Sequence, residues 1–138
     1  KCYRVIQMIL IDYEIKSSEI HGAGMFTKQN IKKGELIAKA SPILDVDITA
    51  EQFNKLEERE KQELLYWGFY DAPRNVYHCD FDNTKFINHS KNGNITQDEN
   101  YDDMYLIASR DINIGEELTQ NYLEFESEED LLNRGIKD

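Results

Sequence analysis

The sequence predicts a mostly β, or α+β, domain made of many short strands and one substantial helix. Three observations predict it. The apolar, β-branched runs are short and are broken by Gly, Asn and Asp turns. One stretch, about 49–66, carries a helical pattern with a start signal. No repeat, linker or low-complexity tract interrupts the 138 residues, so residues 1–138 read as a single domain long enough to bury a core.

Each element follows from its residues. Residues 5–15, Val-Ile-Gln-Met-Ile-Leu-Ile-Asp-Tyr-Glu-Ile, read as the first strand. Gly22-Ala23-Gly24 marks a tight turn or a close backbone approach. Lys32-Lys33-Gly34-Glu35 is a second turn, and Leu36 to Ala40 a second strand. Thr49 caps the helix, with Gln52 in capping-box position. Val76 to Phe81 is a short strand, Asn88 to Asn94 a loop, and Gln97 to Asp103 an acidic loop. Met104 to Ala108 is a strand, Asn113 to Glu116 a turn, and Leu118 to Phe125 mostly extended. Ser127 to Asn133 is a short C-terminal helix, capped by Ser127 and ended by Gly135.

Composition excludes several classes. The longest apolar run, Met8 to Ile11, is too short to span a bilayer, so no membrane segment is expected. No signal-peptide pattern is visible, which points to an intracellular chain with free thiols at Cys2 and Cys79. The nucleus and the cytoplasm are not distinguished. A net charge of −11 argues against direct nucleic-acid binding and for a basic partner. Two cysteines and three scattered histidines give no metal-site spacing, so no metal is expected.

Four places carry potential chemistry: Gly22-Ala23-Gly24, Phe86-Ile87-Asn88-His89-Ser90, the block Glu116 to Tyr122, and the aromatic cluster Tyr66 to Tyr70. Taken singly, these are equally a turn, a side-chain-capped turn, a half-buried tyrosine and core packing. No P-loop, GxSxG elbow or HExxH is present.

In order, they resemble the SET domain. Lys16 to Ile37 resembles its opening, with Gly-x-Gly, a phenylalanine and a Lys-Lys-Gly-Glu turn. Lys85-Phe86-Ile87-Asn88-His89-Ser90 resembles its Arg-Phe-Ile-Asn-His-Ser motif. Leu106 to Ile112, followed by Gly115-Glu116-Glu117-Leu118-Thr119-x-x-Tyr122, resembles its closing block. Tyr66-Trp67-Gly68 matches its loose Tyr-x-Gly element. The resemblance covers about residues 12–126, leaving a C-terminal segment of about 126–138.

The resemblance implies a β-clip architecture of small curved sheets around a knot-like core. It also implies protein-lysine N-methylation with S-adenosylmethionine as cofactor and S-adenosylhomocysteine as product. The substrate would be a lysine in a basic protein or peptide, a histone among the candidates. A catalytically weak module that binds a protein or peptide is the alternative. By the same resemblance, His21, Gly22, Ala23, Gly24, Met25 and Phe26 approach the cofactor. Asn88 bonds its methionine end, the His89 backbone meets the adenine, and Tyr122 stands where the methyl moves, as both cofactor-binding and catalytic residue. Tyr66, Tyr70, Tyr77, Gln120 and Phe125 are candidates for the walls of the lysine channel.

The chemistry such a site must solve is electrostatic. A free lysine has a pKa of ~10.4, and only the neutral amine attacks. Beside a sulfonium at ~4 Å and an effective dielectric of ~20, repulsion of roughly 4 kcal/mol lowers that pKa by about three units. Alignment of nitrogen, methyl and sulfur is then a positioning task.

The sequence departs from the family pattern at Lys91-Asn92-Gly93-Asn94, which keeps only the asparagine of a Cys-x-Pro-Asn run. No cysteine follows Cys79, so the segment Phe125 to Leu132, or a partner, is expected to complete the substrate side in place of a zinc-clasped tail. Gln120 stands where many members carry Phe or Tyr.

Overall fold

The computed structural model describes residues 8–98 and 105–137. Among the described residues, ten short strands form three small sheets. β1 (Tyr13–Ser17) and β2 (Ala23–Thr27) make an antiparallel hairpin. β4 (Val46–Thr49), β5 (Phe69–Asp71) and β6 (Val76–Cys79) make a sheet in the order β4-β6-β5. The central sheet contains β3 (Leu36–Lys39), β7 (Asn88–His89), β8 (Ile95–Gln97), β9 (Tyr105–Ala108) and β10 (Thr119–Gln120), in the order β3-β9-β8-β10-β7. The core joins the hairpin to the central sheet through Ile9, Ile11, Met25, Ile31, Ile37, Ile87, Ile95, Ile112 and Leu118. β-branched isoleucine suits strands this short, because each must be buried on one face to be held at all.

The expected single helix is two. α1 (Ala50–Asn54) starts on the capping box, Thr49 Oγ1 accepting the Gln52 amide at 3.1 Å and Gln52 Oε1 accepting the Thr49 amide at 2.9 Å. The chain then turns, and α2 (Glu58–Trp67) begins anew where Glu60 Oε1 accepts the Glu57 amide at 2.9 Å. Glu57-x-x-Glu60 is thus a second start signal inside what reads as one helical stretch. α2 stops at Gly68, where a Cβ would lie 2.3 Å from the His78 carbonyl oxygen. α3 (Glu128–Asn133) matches its prediction, with Ser127 Oγ accepting the Asp130 amide and Gly135 at φ +75°.

The first strand starts later than predicted. Residues 1–7 lie outside the described residues, and Ile9 makes only an isolated bridge to Ala38. Between Leu118 and Phe125 only Thr119–Gln120 is strand; Tyr122–Glu124 is a tight helical turn, because Asn121 Oδ1 caps the Leu123 amide.

The knot-like crossing is formed by β10. It lies parallel to both β7 and β8 and between them, so the closing segment passes beneath the loop 90–94 that joins those two strands. Two residues make the crossing possible. At Gly93 a Cβ would sit 2.8 Å from Gln120 Cα and from the Thr119 carbonyl oxygen. Asn94, 2% exposed, donates to the Glu117 carbonyl at 2.8 Å and accepts the Thr119 amide at 2.9 Å. Asn94→Ala therefore strands two buried backbone groups. We expect it to cost about 2–4 kcal/mol, measured by urea denaturation.

A charged cluster ties β4 to β6. His78 Nδ1 lies 2.7 Å from Asp47 Oδ1, and Nε2 lies 3.1 Å from Asp80 Oδ1 and 3.5 Å from Asp45 Oδ2. Burial pushes the imidazole pKa down, but hydrogen bonds and charge from Asp80 and Asp47 outweigh it and raise it to about 9. The folded pKa therefore exceeds the unfolded value of ~6.5. The resulting stability is fully present below pH ~6.5 and is lost as pH rises through about 9. Thermal melts from pH 6 to pH 10 should show a fall of roughly 1–2 kcal/mol, allowing for solvent screening. His78→Gln should remove that dependence.

Candidate functional site

The crossing carries the site. It sets Asn88 and His89 beside the turn that holds Tyr122, at one end of a cavity of about 930 Å³. His21, Ala23, Tyr66, Trp67, Phe86, Asn88, Gln120, Tyr122 and Phe125 all line this cavity.

Tyr122 is fixed from several sides. Its hydroxyl donates to the Ile87 carbonyl oxygen, its amide donates to His89 Nδ1 at 3.0 Å, and its ring lies 5.2 Å from both His89 and Phe125. Burial pushes the phenol up to about 12. The group stays protonated at neutral pH, so it orients and hydrogen-bonds but does not abstract a proton.

Asn88 is aimed by Glu117. Its Nδ2 donates to Glu117 Oε1 at 2.8 Å, the His21 carbonyl at 3.1 Å and the Ala23 carbonyl at 3.2 Å. Ser18 Oγ donates to the same carboxylate at 2.8 Å. Among the described residues nothing donates to Asn88 Oδ1. The two glycines serve separate needs. Gly22 takes φ +48°, which favours glycine, whereas a Cβ on Gly24 would lie 2.1 Å from Glu117 Oε1. Gly24 thus makes room for the Glu117 carboxylate.

These acceptors fit a cation. One carboxylate and two peptide carbonyls suit the amino group of S-adenosylmethionine, and the exposed ring of Tyr66 beside His21 suits an adenine ring.

Other predicted residues fall elsewhere. Met25 is fully buried in the core and Phe26 lies under Lys16 Nζ; neither lines the cavity. His89 serves through its ring, underneath Tyr122. Tyr66 lines the cavity at the glycine turn, its ring 5.8 Å from His21. Tyr70 and Tyr77 also miss the cavity. Tyr77 stacks on Phe53 at 3.8 Å, and the Tyr70 hydroxyl bonds Asn75. Both face outward because β5 and β6 turn their alternate residues, Phe69 and His78, toward the cavity. Phe69, 4.6 Å from Phe125, is the wall residue that sequence reading missed. Gln120 lines the cavity and donates to Glu124 Oε2 at 3.0 Å.

Sequence reading also missed the Glu126–Arg134 pair. Arg134 Nη1 donates to Glu126 Oε2, Nε donates to the Leu65 carbonyl, and the guanidinium lies 5.7 Å from the Tyr122 ring centre. Asp45, His78 and Asp80 also bring ligand atoms within 4.8 Å of one another, a grouping that their spacing in the sequence does not announce.

Comparison with known proteins agrees with this geometry. Residues 22–123 match the SET domain. A Plasmodium falciparum protein named variant-silencing SET domain-containing protein is 32% identical over 126 residues, covering 80% of this chain; the chain spans only 5% of that relative's length. Among solved structures, a Plasmodium falciparum protein classed provisionally as a histone methyltransferase superposes with a TM-score of 0.58 at 21% identity. The match covers 83% of this chain and 95% of that one. The complex ctPRC2, in an autoinhibited conformation bound to S-adenosylmethionine, gives 0.62 at 21% identity, over 91% of this chain and 17% of that one. The crossing, the Asn88–Glu117 contact and the half-buried Tyr122 are thus found in a chain that belongs to the SET domain family.

Proposed function

We propose that the chain is an S-adenosylmethionine-dependent protein-lysine N-methyltransferase, acting inside the cell on a lysine of a basic protein, with histones the first candidates. The observation that carries this reading is the convergence of Asn88, the His21 and Ala23 carbonyls and the half-buried Tyr122 on one cavity. When bound, the cofactor supplies an electrophilic methyl on a positive sulfur. The chain's own residues do the rest. Glu117, Asn88 and the two carbonyls hold a positively charged amino acid end. Tyr122, Phe125 and Phe69 give the target lysine aromatic walls that exclude water and restrict its approach. Asp45, Asp47, Asp71 and Asp80 also line the cavity, which suits a basic peptide more than a nucleic acid or a membrane.

Calorimetric titration with S-adenosylmethionine is the first test, with micromolar affinity expected. No binding by a folded sample would leave a peptide-binding module as the reading. Asn88→Ala should weaken cofactor binding roughly tenfold, the worth of one good hydrogen bond. Tyr122→Phe should keep cofactor affinity and slow methyl transfer to core histones at least about tenfold. Unchanged turnover would remove its hydroxyl from the reaction.

A further inference from the structure

Glu126 has a side chain with 0% exposure, and it lines the cavity that holds Tyr122. Its Oε2 is taken by Arg134, while Oε1 is buried and has no hydrogen-bond partner among the described residues. One other buried side-chain oxygen shares that condition, Asp82 Oδ2, and Asp82 does not line the cavity. A buried acceptor without a donor costs folding energy, so it calls for a use. The neighbouring acids of the cavity wall are engaged: Asp45, Asp47 and Asp80 with His78, Asp71 with Arg74, and Glu124 with Thr96 and Gln120.

We propose, resting on the methyltransferase reading, that Glu126 is a catalytic residue whose Oε1 receives the ammonium of the target lysine and takes its proton. A lysine Nζ brings three donors to an oxygen that lacks one. Tyr122 cannot take the proton, since its phenol stays protonated and its hydrogen is committed to the Ile87 carbonyl. The groups facing Glu126 are Tyr122 from its own turn and Arg134 and Asp130 from α3. Burial pushes the carboxyl up to about 7, against the pull of Arg134 and with a push from Asp130. That range suits proton exchange with an amine whose own pKa has been lowered toward neutrality. The step balances. The proton passes from Nζ to Oε1, and the electrons of the broken N–H bond stay on nitrogen as the lone pair that forms the new bond to carbon. The sulfur–carbon bond breaks with its pair returning to sulfur. The carboxylic acid gives its proton to water when the product leaves.

The test compares the pH dependence of methyl transfer to core histones and to polylysine by wild type and Glu126→Gln, between about pH 6 and pH 10. The variant should lose roughly 10- to 100-fold in kcat at neutral pH, and the loss should shrink at high pH, where the amine needs no acceptor. Cofactor affinity should not change, and Glu126→Asp should restore part of the rate. A second readout is independent of turnover. In carbon-13 spectra of the wild type, one glutamate carboxyl should titrate near neutrality, respond to a lysine peptide but not to its norleucine analogue, and be absent from Glu126→Gln. If the single variant does not fold, Glu126→Gln with Arg134→Met leaves no uncompensated charge and serves in its place. Parallel pH profiles for variant and active wild type would overturn the role of Glu126 alone. A wild-type chain that methylates neither acceptor would overturn the proposed function and this role together.

Discussion

The passage of β10 between β7 and β8 is the constraint on which the rest depends. Parallel strands two residues long hold few hydrogen bonds, so pairing alone would not keep Thr119–Gln120 in place. The loop above must press backbone on backbone, which Gly93 permits, and must satisfy the amide and carbonyl that the crossing buries, which Asn94 does. Sequence-distant segments then become neighbours at fixed register: Asn88 opposite Thr119, and His89 opposite Gln120. The asparagine and the tyrosine of the site meet because the chain crosses there.

A half-buried carboxylate turns that crossing into a binding surface. Glu117 sits just before β10 and reaches back to Ser18 and Asn88, while Gly24 leaves the space it occupies. Three motifs that look separate in sequence are therefore one unit: the Gly-x-Gly turn, Asn88 and the Glu-Glu-Leu-Thr block. Carboxylate and amide orient each other, and replacing either would remove one of the contacts that hold the other in place.

Much of this was legible in the sequence. The order of motifs indicated the family, the Thr49 capping box held, and Asn88 and Tyr122 do meet in one cavity. The failures have physical causes. Glu57-x-x-Glu60 was hidden because acidic residues are frequent throughout that stretch, so a reset of the helix left no contrast. Met25 and Phe26 lie next to a motif in sequence, but strand alternation sends Met25 into the core. Tyr70 and Tyr77 were chosen for their type; their positions on β5 and β6 point them away, and Phe69 toward the cavity. Gly93 read as a departure from a pattern, since a need for absent volume shows only when the second strand is in place. The His78 cluster joins residues from β4, β6 and their flanks, so no spacing could announce it.

The C-terminal segment is held to the site through Arg134. Its guanidinium bonds Glu126, donates to the Leu65 carbonyl near the end of α2 and lies over the Tyr122 ring. A buried ion pair contributes little net stability, because desolvation offsets most of the attraction, and an apolar pair of equal volume would serve as well for stability alone. What the apolar pair could not do is fix direction. The planar fork of arginine holds α3, α2 and the tyrosine turn in one geometry, and it leaves a single carboxylate oxygen of Glu126 unpaired beside them. Stability therefore does not explain the charge in this place; the geometry it fixes does.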